Sequence, residues 1–420
     1  MAKEKIVVEG GTPLAGEVHI SGAKNSALKL IAAALLGQGE SAIHNVPLIS
    51  DIVVMSKVIE TLGGSVRRDG HTLHVDTAGV DTWETPYELV SKMRASISVL
   101  GPLVARFGKA RVAMPGGCNL GARKIDMHMV GMEALGVHFH TDHGYIEAST
   151  PNGLHGAYVA LDFPSVGATE NAMLAACAAE GTTIISNAAR EPEIVELQDF
   201  LRAMGACVQG AGSATVVVEG RKKLHGCVHR VRPDRIVAAT YLCAAAASGG
   251  CIYLRRADYR QMAAVLCVLR QSGCDIRSDG CGIRIKSDGC LRAVPPVRTS
   301  PYPGFPTDDQ AIMMAALLRS RGSTVFVENL FSDRYRHVPQ LRKLGAQIRT
   351  EGQTAIVTGT ERLRGAAVEA TDLRGGAALV VAGLQAEGVT QVERIGHIER
   401  GYADIVGDLS GLGACIHREE

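Results

Sequence analysis

The hydrophobic pattern of the chain repeats six times. Each repeat contains a five-residue segment that begins with an aliphatic residue, often has an apolar residue at its fourth position and ends with a glycine. A further apolar residue lies three positions after that glycine. Successive glycines are 68 to 73 residues apart. The pattern predicts a helix with an apolar stripe, a glycine cap and then a strand in each repeat. The six segments are 59–63, 132–136, 201–205, 269–273, 341–345 and 409–413.

A second shared segment lies about 24 residues before most of these glycines. It is a glycine followed by β-branched residues, as after Gly181, Gly322 and Gly388. The two segments together predict a strand, a helix, a strand, a helix and two strands in each repeat. The chain is therefore expected to have an α+β fold made of six βαβαββ repeats of about 70 residues.

The start of the chain resembles the end of a repeat. Residues 6–10 read Ile-Val-Val-Glu-Gly, residues 216–220 read Val-Val-Val-Glu-Gly, and the sixth repeat stops at Glu420 without a final strand. The N-terminal strand is therefore expected to complete the sixth repeat. Repeats one to three would form a domain of residues 23–231, and residues 1–22 with 232–420 would form the other. Two similar domains joined by two crossings would make a cleft that can close on a ligand.

The composition narrows the function only slightly. A chain of 420 residues can build two or three domains, and a net charge of +1 provides no overall field to attract nucleic acid or a membrane. No signal peptide or long apolar span is recognisable. The chain has 11 cysteines, which is an odd number, and none of them form a Cys-x-x-Cys motif. It also lacks the His-Glu-x-x-His, Walker A and dinucleotide-binding glycine motifs. We expect a cytoplasmic protein with no metal site.

Residues 114–123, Met-Pro-Gly-Gly-Cys-Asn-Leu-Gly-Ala-Arg, are the most informative segment. Their glycines and proline predict a bent segment whose backbone N–H groups can approach a ligand. Cys118 lies in its middle, and the guanidinium of Arg123 follows five residues later, a setting that suits a reactive thiol. The segment suggests a catalytic lid over an anionic substrate. The cysteines in apolar or alanine-rich segments, which are expected to be buried, are Cys177, Cys243, Cys267 and Cys415.

Charged residues at predicted helix starts are the other candidates. A lysine beside free N–H groups at a helix N-terminus can bind an anion, although it could also be an exposed capping residue. An aspartate before the predicted helix 311–318 could be merely its N-cap. Several arginines at equivalent repeat positions, all facing one cleft, would hold a polyanion. These candidates are Lys24, Arg94, Asp308, Arg334, Arg374 and Arg400.

The chain resembles the UDP-N-acetylglucosamine 1-carboxyvinyltransferase family of enolpyruvyl transferases from end to end. The Pro-Gly-Gly-Cys segment separates this family from the shikimate-phosphate enolpyruvyl transferases. The motifs that carry the resemblance are Ser-Gly-Ala-Lys-Asn at 21–25, Met-Arg-Ala-Ser at 93–96, Pro-Gly-Gly-Cys at 115–118, Phe-Pro-Ser-Val-Gly-Ala-Thr-Glu-Asn at 163–171, Arg-Glu-Pro-Glu-Ile-Val at 190–195, Pro-Asp-Arg-Ile at 233–236, Phe-Pro-Thr-Asp at 305–308, Ala-Thr-Asp-Leu-Arg at 370–374 and Arg-Gly-Tyr at 400–402.

The resemblance implies a fold and an activity. The fold would be a two-domain inside-out α/β barrel, with helices inside and sheets outside. The substrates would be phosphoenolpyruvate and UDP-N-acetylglucosamine, with no metal or organic cofactor, in the first committed step of bacterial peptidoglycan synthesis. Cell-wall biogenesis, cell shape and cell division would depend on it. No nucleic acid or membrane partner is expected, and the oligomeric state stays open with a monomer as the default.

The resemblance also implies the residues of the site. Cys118 would be the general acid and could add covalently to phosphoenolpyruvate, while Asp308 would be the base. Lys24 and Arg400 would also be catalytic, in a site whose cations offset the charge of two anionic substrates. The expected substrate-binding residues are Lys24, Asn25, Arg94, Arg123, Lys124, Ile125, Asp126, Met127, His128, Ser165, Val166, Gly167, Glu191, Asp234, Thr307, Asp308, Leu330, Arg334, Asp372, Arg374 and Arg400.

Two departures and two alternatives accompany this interpretation. Lys124 stands where many members of the family have proline, and Ser332 stands where many have glutamate near Arg334. These changes put kinetics and substrate contacts in question, not the reaction class. One alternative is an enolpyruvyl transferase of other specificity. The other is a catalytically weak paralogue that binds a UDP-sugar as a sensor or partner protein.

Overall fold

The computed structural model describes residues 4–90, 93–114, 125–220 and 223–420, with the side chain of Arg94 left out. Thirteen α-helices lie in these ranges. No helix in the described part of the chain has the length and hydropathy that crossing a membrane requires. The helices are α1 (Lys24–Ala33), α2 (Ser50–Thr61), α3 (Tyr87–Val90), α4 (Leu100–Phe107), α5 (Asp126–Glu133), α6 (Val166–Ala176), α7 (Pro192–Ala203), α8 (Arg235–Ser248), α9 (Ala263–Gln271), α10 (Thr307–Ala316), α11 (Val338–Lys343), α12 (Leu373–Leu384) and α13 (Ile405–Gly411).

The strands alternate with these helices in the order that the repeat predicts, except in the second repeat. They are β1 (Lys5–Glu9), β2 (Leu14–His19), β3 (Gly37–Gln38), β4 (Glu40–His44), β5 (Ser65–Asp69), β6 (Thr72–Asp76), β7 (Lys109–Ala113), β8 (His138–Asp142), β9 (Tyr145–Ser149), β10 (Tyr158–Ala160), β11 (Thr182–Ser186), β12 (Cys207–Gln209), β13 (Thr215–Glu219), β14 (Leu224–His225), β15 (Val228–Arg230), β16 (Gly250–Arg255), β17 (Asp275–Ser278), β18 (Gly282–Ser287), β19 (Val297–Arg298), β20 (Ser323–Val327), β21 (Gln347–Glu351), β22 (Thr354–Thr358), β23 (Ala367–Glu369), β24 (Val389–Glu393) and β25 (Cys415–Glu419).

Five sheets share one plan, in which a parallel pair of strands is followed by two antiparallel neighbours. Their strand orders are β15-β4-β6-β5, β10-β11-β13-β12, β2-β16-β18-β17, β19-β20-β22-β21 and β23-β24-β1-β25. The N-terminal β1 pairs antiparallel with both β24 and β25, so it supplies a strand to the sheet of the sixth repeat. The sheet of the second repeat has only β7, β9 and β8, and the predicted first strand is reduced to an isolated bridge between Glu84 and Arg111.

The glycine of each repeat ends a helix as predicted. All six glycines have φ between +91° and +114°, which is the left-handed conformation that glycine adopts without steric cost. In each repeat the N–H of the next residue donates to the carbonyl of the first aliphatic residue, for example Ala206 to Leu201 at 2.9 Å and Ala414 to Leu409 at 3.0 Å. This is the Schellman cap. The cap turns the chain directly into the following strand.

The chain divides into two compact units. The C-terminal unit contains residues 4–21 and Pro233–Glu420, and the N-terminal unit contains the described residues from Gly22 to Arg232. In the C-terminal unit, α8, α10 and α12 pack against one another and are buried on nearly every side. Their alanines and glycines allow this close approach, and a helix that is apolar all round must lie in a core. The sheets cover these helices, with alternate residues facing inward.

Three details differ from the expectations. The helix predicted at 311–318 starts earlier, at Thr307, and Pro306 is its N-cap, so Asp308 lies in the first turn and is not the cap. The apolar helix after Met93 begins as a 3₁₀ helix, Arg94–Val99. Cys177 and Cys243 are buried as predicted, but Cys267 and Cys415 are exposed. Cys267 lies on the outer face of α9, and Cys415 points outward from the edge strand β25. The apolar residues around a cysteine therefore did not show whether its side chain faces the core or the solvent.

Candidate functional site

Asp308 is the centre of a charged cluster in the C-terminal unit. It lies in the first turn of α10, where the helix dipole favours a negative charge. Arg334 Nη2 donates to its Oδ1 at 2.8 Å, and Arg374 Nη2 lies 3.6 Å from its Oδ2. Arg334 and Arg374 are 2% and 3% exposed, whereas the Asp308 side chain is 29% exposed. Two buried guanidiniums therefore orient a carboxylate that solvent or a ligand can reach.

Asp372 and His337 hold the arginines of this cluster in place. Asp372 is the N-cap of α12, and its Oδ1 accepts from the N–H groups of Arg374 and Gly375, both at 3.0 Å. Burial opposes ionisation of Asp372, but the bond from Gly375 and the charge of Arg334 outweigh it and keep its pKa below the usual value. His337 Nδ1 donates to the carbonyl of Arg334 at 3.2 Å. Burial lowers the pKa of His337 to about 4, so its ring is neutral.

Arg400 lies near the same group of residues. Its positive charge helps burial to lower the pKa of His397, whereas Asp372 opposes that shift. Tyr402 is 2% exposed, shares a 2.7 Å hydrogen bond with the hydroxyl of Thr240, and has the guanidinium of Arg374 5.6 Å from its ring centre. The predicted residues Asp308, Arg334, Asp372 and Arg374 are thus brought together, and Arg400 lies beside them.

Glu328 fixes Thr307 and Leu330, two further predicted residues of this unit. Its buried carboxylate accepts from the hydroxyl of Thr307 at 2.9 Å and from the N–H groups of Leu330 and Phe331 at 2.9 and 3.1 Å. The hydroxyl of Thr299 donates to it at 3.0 Å. Since Thr307 also accepts from Arg334 through its carbonyl, this network ties the loop after β20 to the start of α10.

Asp309 differs from Asp308 although the two are adjacent. It is 2% exposed, and its Oδ1 has no hydrogen-bond partner. Burial raises the pKa of Asp309 to about 8, although the charge of Arg235 works in the other direction. A buried carboxyl without a partner is more stable with its proton, because the charged form loses its hydration. Asp309 is therefore mostly a neutral acid at pH 7.

Lys24 and Asp51 form the charged pair of the N-terminal unit. Lys24 is the first residue of α1, 8% exposed, and its Nζ lies 2.8 Å from Asp51 Oδ2. Asp51 is 4% exposed in the first turn of α2, where the helix dipole favours it. Asn25 follows Lys24 and is half-buried. A buried lysine at a positive helix end requires such a partner, and the pair leaves the ammonium fixed at the start of α1.

The predicted segments 125–128 and 165–167 meet in the N-terminal unit. The ring of His128 packs against Gly167 so closely that a Cβ there would lie 2.5 Å from His128 Cε1. Asn171 Nδ2 and His128 Nδ1 are 2.8 Å apart. The hydroxyl of Ser165 is the N-cap of α6 and accepts from the N–H of Ala168 at 3.4 Å. The start of α6 therefore lies beside a histidine, and the first backbone N–H groups of a helix suit an anionic ligand.

Some of the remaining predicted residues begin or cap helices, and others lie outside the part of the chain that the structure describes. Asp234 is the N-cap of α8, with Oδ1 accepting from Ile236 and Val237 N–H at 2.8 and 3.1 Å. Glu191 is the N-cap residue of α7. Ile125 is the N-cap of α5, Asp126 is exposed, and Val166 begins α6. The residues or side chains outside the described part are Cys118, Arg123, Lys124 and the side chain of Arg94.

The backbone after the second strand distinguishes two repeats from the other four. In four repeats a residue with φ between +54° and +67° directly follows the second strand, as Asn45, Asn187, Arg256 and Arg394. A left-handed conformation is costly for residues other than glycine. Met114 and Glu328 are the equivalent residues in repeats two and five and do not adopt it. Repeats two and five contain Cys118 and Asp308, whereas the candidates Lys24 and Arg400 belong to repeats that have the left-handed residue.

Sequence reasoning missed Asp51, Glu328 and Asp309. Each acts through a contact with another element, which no local pattern reveals. A weak signal was present for two of them, because Asp51 interrupts an apolar stripe and Asp309 precedes a run of apolar helix residues. Glu328 had no such signal, since an acid after a strand is ordinary loop composition.

Comparison with known proteins identifies the family. The profile of the EPSP synthase (3-phosphoshikimate 1-carboxyvinyltransferase) family matches residues 8–409. The UDP-N-acetylglucosamine 1-carboxyvinyltransferase of Myxococcus xanthus is 49% identical over 420 residues, which covers 99% of this chain and 100% of the relative. The UDP-N-acetylglucosamine 1-carboxyvinyltransferase 1 of Staphylococcus epidermidis is 46% identical over 418 residues, or 99% of each chain.

Solved structures agree on the fold. The enolpyruvyl transferase NikO of Streptomyces tendae superposes with a TM-score of 0.89 at 26% identity, covering 100% of this chain and 99% of NikO. The EPSP synthase of Acinetobacter baumannii superposes with a TM-score of 0.75 at 17% identity over the full length of both chains, which shows the fold alone. The chain therefore has the two-domain enolpyruvyl transferase fold and belongs to the UDP-N-acetylglucosamine 1-carboxyvinyltransferase family of enolpyruvyl transferases.

Proposed function

We propose that this protein transfers the enolpyruvyl group of phosphoenolpyruvate to the 3-hydroxyl of UDP-N-acetylglucosamine and releases phosphate. The observation that carries the proposal is the carboxylate of Asp308, held by Arg334 and Arg374 at the start of α10. Its relatives with 46% to 49% identity over the whole chain bear the name of this activity. The substrates are both anionic, and each unit presents buried cations at the starts of its inner helices.

The reaction needs a base, an acid and fixed positive charge. Asp308 would take the proton of the sugar hydroxyl as its oxygen forms a bond to the enol carbon, and Cys118 would deliver a proton to the methylene carbon. Loss of a proton from the resulting methyl group and cleavage of the bond to the phosphate oxygen would then restore the double bond. A thiol with an ordinary pKa of about 8.5 is still mostly protonated at neutral pH, which suits an acid.

The remaining candidates would bind and orient the substrates. Lys24, with Asn25, Arg123 and Arg400, would hold phosphoenolpyruvate, where charge-assisted hydrogen bonds are strongest. The starts of α5 and α6 would contact the UDP-sugar, with free N–H groups facing its phosphates. Arg334 and Arg374 would orient Asp308, and Arg374 Nη1, buried without a hydrogen-bond partner, is available to an anion.

The proposal includes a place in metabolism. The reaction would be the first committed step of peptidoglycan synthesis in the bacterial cytoplasm, and cell shape and division would depend on it. The protein would act without a metal or organic cofactor, with the monomer as the default state.

The test is phosphate release by the purified protein with phosphoenolpyruvate, with and without UDP-N-acetylglucosamine, followed by mass spectrometry of the product. We expect release that requires the UDP-sugar and a product heavier by one enolpyruvyl group. Cys118→Ala should abolish release, whereas Cys281→Ala, an exposed cysteine on a hairpin, should not. Release with shikimate 3-phosphate in place of the UDP-sugar would indicate the other specificity. UDP-sugar binding without any release would indicate the non-catalytic paralogue.

A further inference from the structure

Asp309 is a buried acid that has no ion-pair partner although it lies in a charged cluster. It follows Asp308 in the first turn of α10 and is 2% exposed. The ion pairs of Arg334 and Arg374 are made with Asp308. In the described ranges, no cationic nitrogen lies within 4.0 Å of the Asp309 carboxyl, and its Oδ1 has no hydrogen-bond partner. A side chain in this position is stable only if its charge is absent.

The groups around Asp309 make its charge important for an anionic ligand. The charges of Arg235 and Asp234 on α8, of Arg374 on α12 and of Asp308 on its own helix act on its carboxyl, and the charge of Asp309 in turn acts on the buried thiol of Cys243 on α8. As a neutral acid it leaves the positive charge of the arginines opposed only by the other carboxylates. As an ion it would remove one unit of positive charge from the part of the molecule that the proposed function assigns to anionic substrates.

The proton of Asp309 has a route to solvent. The residue lines a small cavity of about 40 Å³ together with Arg235, Arg260 and Tyr302. Burial raises its pKa to about 8, close to the physiological range. The proton can therefore exchange in the folded protein, and its occupancy can respond to pH and to a bound anion.

We propose that Asp309 is a positioning residue that sets the charge of the substrate site: it is a neutral carboxylic acid when the anionic substrate binds, and loss of its proton weakens binding. The inference rests on the proposed function, because phosphoenolpyruvate is the anion concerned. Linkage requires the converse as well, so the bound anion must favour the protonated form of Asp309. Asp308 keeps its own role, since its two guanidiniums favour its ionised form.

The experiment is equilibrium binding of phosphoenolpyruvate in the presence of UDP-N-acetylglucosamine, by calorimetry between pH 6.5 and pH 9. All proteins carry Cys118→Ala, so that neither turnover nor titration of that thiol contributes. Asp309→Asn is the test variant, because it is isosteric and permanently neutral. Asp333→Asn, an exposed aspartate near Arg334, is the matched control. Titration of the ligand is common to all proteins and cancels in the comparison.

We compare how much the affinity for phosphoenolpyruvate falls between pH 6.5 and pH 9. In the parent and the Asp333→Asn control this fall should be about tenfold larger than in Asp309→Asn, as one nearby unit charge would produce. At pH 6.5 all three proteins should bind equally. The same pH dependence in Asp309→Asn and the parent would overturn the proposal. If none of the proteins binds phosphoenolpyruvate at any pH, the proposed function is wrong and this inference falls with it.

A second measurement covers the case in which Asp309→Asn does not fold. Infrared difference spectroscopy of the parent with ¹³C-labelled aspartate distinguishes a carboxylic acid from a carboxylate. Addition of phosphoenolpyruvate at pH 8.5 should increase the carboxylic acid signal, because the bound anion favours the protonated form. No increase at saturating ligand would contradict the proposal.

Discussion

The starts of α1 and α10 are equivalent places in two repeats, but they carry opposite charge. At the start of α1 a lysine is buried and paired with Asp51 at 2.8 Å. At the start of α10 an aspartate is partly exposed and held by Arg334 at 2.8 Å. The helix, the following strand and the glycine-capped second helix are the same in both repeats. The repeat thus fixes where a helix begins, and the first residues of that helix decide what chemistry it can perform.

The supporting residues differ in the same way. Lys24 is paired with an acid from the next helix, whereas Asp308 is held by arginines from two other segments and lies beside the Glu328 network. The cation needs only to be held in place, while a base must also be oriented toward a proton. We therefore expect changes at the start of α10 to affect catalysis and changes at the start of α1 to affect anion binding.

Asp308→Asn should have the largest effect. The amide keeps the size of the side chain but cannot accept the proton of the sugar hydroxyl, so kcat should fall by about 10²- to 10⁴-fold. Phosphate release under saturating substrates measures this. Asp333→Asn, exposed and outside the ion pairs, should keep kcat within twofold, roughly the scatter of surface changes. Equal kcat for Asp308→Asn and the parent would remove Asp308 from the role of base.

Glu328→Ala should destabilise the C-terminal unit. The change leaves the hydroxyl donors of Thr299 and Thr307 and two N–H groups without their buried acceptor, at a cost of about 4 kcal/mol. Urea unfolding followed by circular dichroism measures this loss. Glu351→Ala on the exposed edge strand β21 is the control and should change little. A stability loss no larger than that of the control would show that the Glu328 network does not hold the loop.

Asp309→Asn should stabilise the protein in a pH-dependent way. The folded pKa of about 8 lies above the unfolded value, so the folded state binds the proton more tightly. The contribution of Asp309 to stability should therefore be fully present below pH 4, be lost as the pH rises from 4 to 8, and stay absent above 8. The neutral variant lacks this loss and should be more stable than the parent by several kcal/mol at pH 8, with little or no gain at pH 4. Thermal unfolding at both pH values measures the gain; a constant difference would contradict it.

Gly167→Ala should have a smaller effect, in the N-terminal unit. The added Cβ would lie 2.5 Å from the His128 ring, so α6 or the ring must shift, at a cost of about 1–2 kcal/mol. Gly411→Ala is a matched control within a helix, since a Cβ there meets nothing within 4 Å. That variant should be neutral or slightly more stable. Thermal unfolding distinguishes the two, and equal midpoints would show that the contact of His128 with Gly167 is not tight.

The sequence predicted the repeated part of this structure because the repeat depends on local chemistry. A glycine in the left-handed conformation and an apolar stripe are determined by a few neighbouring residues, and all six caps form as expected. The exposure of Cys267 and Cys415 was predicted wrongly, because one helix or strand presents two faces. The pairing of Lys24 with Asp51 and the network of Glu328 join distant elements, so no local pattern could predict them. The catalytic and binding roles of all the candidate residues, including Cys118, Arg123 and Lys124, stay predictions.

Equivalent helix starts of opposite charge are expected to perform different tasks, and steady-state kinetics of two variants provide the most direct test. One is Asp308→Asn, and the other is Lys24→Gln combined with Asp51→Asn, which removes the cation without leaving a buried acid unpaired. We predict a loss of kcat with little change in KM for phosphoenolpyruvate in the first, and a rise of about tenfold or more in that KM in the second. The same kinetic parameter altered to the same extent in both variants would contradict the account.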